Sequence, residues 1–76
     1  MRKSLPDRIR EAQDCYVQEI LELDSSSVPL QEEPYQACED ALKRQLHDLS
    51  LRNSDVTYHV RVAHAMVEGA RTRHGG

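Results

Sequence analysis

The sequence contains no Trp and no Phe, so any core must be built from Leu, Ile and Val with help from Tyr16, Tyr35 and Tyr58. Glycine occurs only at positions 69, 75 and 76, which leaves no glycine-rich loop to cradle a phosphate. Two cysteines, Cys15 and Cys38, are too few for a disulfide framework. No apolar run approaches the roughly 20 residues that a membrane-spanning helix needs. The first ten residues are charged and carry Pro6, unlike a secretory signal. A cytoplasmic, reducing setting with free thiols is the expectation. The histidines lack paired ligand spacing, since His59 and His64 stand about 140° apart round a helix. No metal and no other cofactor is expected.

What is present amounts to 76 residues, enough for one small domain. A core of that size rarely supplies more than about 3–5 kcal/mol without a staple. With disulfides and metal set aside, another protein chain is the staple that remains.

Three segments carry helical spacing. Ser4-Leu5-Pro6-Asp7 has the form of a helix start, with Ser as N-cap, Pro in the first turn and an acid three residues after the cap. Leu5, Ile9, Ala12, Tyr16, Ile20 and Leu23 then recur at intervals of three or four and make one apolar stripe, with Val17 and Leu21 beside it. A linker is expected over 24–32, where three serines and Pro29 interrupt the pattern. Pro34 fits only the first turn of the next helix, whose stripe is Tyr35, Cys38, Leu42, Leu46 and Leu49. The spacing predicts helices near 5–23, 33–52 and 55–72, with a frayed tail over 73–76.

The third segment is ambiguous, because "DVTYHVRV" at 55–62 alternates as a half-buried strand would. A lone strand has no partner for its backbone groups, and nothing else in the chain has strand character. Helical spacing explains the octet better. Val56, Val60, Ala63, Val67 and Ala70 form one stripe; Tyr58, Val62, Ala65 and Gly69 form a second about 150° away. Two interleaved stripes imitate alternation over a short window. The fold class expected is all-α: a three-helix antiparallel bundle, or a helical hairpin completed by oligomerisation.

Charge is segregated. Residues 1–10 carry +3, residues 11–40 carry −9 with no Lys or Arg, and residues 41–76 carry +3. Such separation bears on association more than on fold. Glu11, Asp14 and Glu22 fall opposite the apolar stripe of helix one. Arginine supplies eight of the ten basic residues, as in GC-rich bacterial or phage genomes.

No reaction is announced by any motif. Cys38 lies in an apolar stripe, where a thiol behaves as a small hydrophobe, and Cys15 lies off its stripe. His64 and Glu68, four apart, read as a surface pair. The chain is therefore expected to be non-catalytic, a small interaction module of regulatory, inhibitory or chaperone-like adaptor type. Its expected contact residues are Tyr58, Val62, Ala65 and Gly69 on helix three, with Glu11, Asp14 and Glu22 on helix one. The partner is a second copy or a basic protein. The alternative is a helix-turn-helix nucleic-acid regulator, disfavoured by the net charge of −3 and by the Asp55-Val56-Thr57-Tyr58 start of helix three.

Overall fold

The computed structural model describes residues 3–25 and 32–74. The chain is all-α, with helices α1 (Leu5–Ser25), α2 (Glu32–Asp48) and α3 (Asn53–His74). No strand occurs among the described residues, and the ambiguous octet is helical throughout. None of the helices is long and apolar enough to cross a membrane.

Each boundary has a local cause. At the start of α1, Ser4 Oγ accepts from the Asp7 N–H at 3.4 Å while Ser4 O accepts from the Arg8 N–H at 3.1 Å. The first bond satisfies one of the helix's orphan donors, and the second is the first turn of the helical ladder. The helix runs on to Ser25 rather than ending at 23, so Asp24 and Ser25 leave the expected linker, as does Glu32, which opens α2. The rest of that linker lies outside the described residues.

α2 ends at Asp48, four residues earlier than the spacing predicts. The Leu49 N–H donates to Leu46 O at 3.1 Å and the Ser50 N–H to His47 O at 2.9 Å, while Ser50 adopts φ 66°. This is a left-handed C-terminal cap built on serine instead of the usual glycine, a conformation that costs an L-residue roughly 1–2 kcal/mol. Leu51 follows and packs back against the core, fixing the direction of the turn. α3 accordingly starts two residues early, at Asn53, and continues through Arg73 and His74, which were expected to fray.

One hydrophobic cluster joins all three helices, each of which touches the other two. From α1 it takes Ile9, Ala12, Tyr16, Val17 and Ile20, from α2 Leu42 and Leu46, and from α3 Val56, Val60, Ala63, Val67 and Ala70. The predicted first stripe of α3 is therefore buried without exception. Among the described residues Gln13 is the one polar side chain that is buried, and its Nε2 donates to His59 O at 2.9 Å, so the amide is not stranded. Long-range bonds fix the relative directions. Gln13 meets His59 and Asp24 meets Arg71, so α1 and α3 run the same way. Tyr35 meets Asp24 and Glu39 meets His64, so α2 runs the opposite way to both.

Candidate interaction surface

Polar groups along the α2 edges are closely paired. Arg71 donates to Asp24 through Nε at 2.7 Å and Nη2 at 3.0 Å, and Tyr35 Oη donates to the same carboxylate at 2.8 Å. The Arg71 guanidinium, more than the Tyr35 phenol, holds the Asp24 carboxyl below the usual carboxylate range. In return the hydrogen bond to Asp24 raises the Tyr35 phenol, which keeps its proton. This cluster ties the end of α1 to the start of α2 and the end of α3. His64, expected beside Glu68, instead shares a 2.6 Å hydrogen bond with Glu39 of α2, and Glu68 takes Arg71 at 3.4 Å. A partner on another helix displaced the one four residues away.

The α1–α3 side is different. An open groove of ≈ 590 Å³ runs between the starts of the two helices, with Leu5, Pro6 and Ile9 on one wall and Tyr58, Val62 and Met66 on the other. It continues into a second stretch of ≈ 470 Å³ bounded by Asp14, Val17 and Leu21 of α1 and by Gly69, Ala70 and Arg73 of α3. Arg10 and Met66 line both stretches. From Leu5 to Leu21 the groove spans about 24 Å of helix.

Its apolar content is poorly shielded. Tyr58 is 62 % exposed and Leu5 is 46 % exposed, the two large hydrophobic side chains most open to solvent among the described residues. Val62 and Met66 are half-buried beneath them. Ala65 is exposed on the outer flank of α3, and a Cβ placed on Gly69 would meet nothing within 4 Å. All four residues of the predicted second stripe therefore lie along or beside one surface, graded from half-buried Val62 to open Gly69.

The acids divide. Asp14 lies on the groove wall, whereas Glu11 and Glu22 stand roughly 80–100° further round α1 from Leu21. Both are exposed, and Glu11 is ion-paired with Lys3. Sequence reading missed Arg10, Arg73, Asp7 and Met66, which make the groove mixed in charge rather than acidic. The available signal was Leu21: on α1 it marks the groove direction, and Arg10 and Asp14 flank it at about 20° on either side. None of Asp7, Arg10, Asp14 and Arg73 forms an ion pair among the described residues.

Compared with family models, curated proteins and solved structures, the chain matches none.

The thiols offer little chemistry. Cys15 is exposed, with Sγ 3.9 Å from Glu19 Oε1, and Cys38 is half-buried. Burial, reinforced by Glu19, pushes the Cys38 thiol up and keeps it protonated, the opposite of what an attacking cysteine needs. Among the described residues no group of three or more His, Cys, Asp or Glu could hold a metal ion.

Proposed function

We propose that this chain is a small, non-catalytic protein–protein interaction module, of regulatory, inhibitory or adaptor type. Its contact surface is the α1–α3 side: Tyr58, Val62, Ala65 and Gly69 of α3, with Asp14 at the rim and Glu11 and Glu22 on the adjoining flank of α1. We further infer that residues 1–76 act as one three-helix bundle whose third side is left for a partner, in a reducing cytoplasm where Cys15 and Cys38 stay as thiols.

The observation that carries this reading is the exposure of Tyr58 above half-buried Val62 and Met66. Removing apolar surface from water is worth roughly 25 cal/mol per Å², and a tyrosine presents 150–250 Å² at most, about 4–6 kcal/mol in the limit of complete burial. A side chain of this kind, rimmed by charge at the mouth of a groove, is typical of interface hot spots. The raised Cys38 thiol supports the non-catalytic part.

Pull-down from cells that naturally express the chain, with the wild type compared to Tyr58→Glu and Val62→Asp, tests the reading. Tyr58 is exposed enough that its substitution should leave stability within about 0.5 kcal/mol, which a melting curve verifies. The expected result is at least a tenfold loss of the captured partner for both variants. Undiminished capture by folded Tyr58→Glu contradicts the proposal.

A further inference from the structure

We draw no further inference here: the strongest candidate, the open groove between α1 and α3 with Tyr58, Val62 and Met66 on its wall, carries nothing beyond the surface already proposed, because nothing in the structure shows what covers it.

Discussion

Leu46→Ala is expected to remove about 2–5 kcal/mol of stability, enough to leave much of the protein unfolded at ordinary temperature. Leu46 is 0 % exposed, and with Leu42 it makes up the whole fully enclosed contribution of α2 to the core. Deleting its side chain loses the transfer free energy of three carbons and leaves a cavity. The surrounding helices can collapse into that cavity only by moving α2 against two neighbours at once. Urea unfolding at fixed protein concentration reads the change directly, provided the dependence on denaturant keeps its slope. A loss below about 1 kcal/mol would mean that Leu46 is solvated and α2 is displaced from the position described.

Ala63→Leu is expected to cost about 1–3 kcal/mol, whereas Ala65→Leu on the same helix stays within about 0.5 kcal/mol. Ala63 is 0 % exposed and lies in the core with Ala12 and Ala70, small residues that let the helices approach closely. Extra methylenes there have no space. Ala65, two positions on, projects about 200° round the helix and meets solvent. For a domain of 60–100 residues each kcal/mol moves the thermal midpoint by roughly 4–8 °C, so paired melting curves separate the two variants clearly. Equal effects would mean that α3 is rotated away from the orientation in which Val56, Val60, Ala63, Val67 and Ala70 face inward.

That orientation was readable from spacing alone, because a five-member stripe at intervals of three and four over-determines the buried face. The α1 stripe was nearly as clear, with Leu23 half-buried at its far end, and its largest departure is informative. Leu5 fits the period but lies at the end of the helix, past the reach of α2, and so remains on the groove rim. The end of α2 was misplaced because Leu49 continues the apolar period. What stops the helix is the left-handed conformation of Ser50, a serine where a glycine would have given the signal. Gln13 escaped notice as a core residue since its polarity argues for the surface; its place depends on a carbonyl 46 residues away.

The site was legible in part for the same reason. Stripe geometry located Tyr58, Val62, Ala65 and Gly69, but a groove belongs to two helices, and no pattern within α3 reveals which residues of α1 stand opposite. The acids illustrate the difficulty. A block carrying −9 reads as an acidic face, yet of the three acids singled out on α1 only Asp14 borders the groove, beside two arginines from the basic ends of the sequence. The cluster of Asp24, Tyr35 and Arg71 was invisible for the related reason that its members are separated by up to 47 positions.

The most direct measurement replaces Tyr58 with a photo-reactive phenylalanine analogue and, in a separate chain, Arg44, which is exposed on the outer side of α2. Both proteins are irradiated in the cells that express them, with and without an excess of unlabelled chain. Position 58 is expected to yield one discrete adduct that competes away with wild-type chain but not with Val62→Asp, while position 44 yields none. Adducts of equal strength from both positions, or none from position 58, would contradict the claim that the α1–α3 side is where this protein meets its partner.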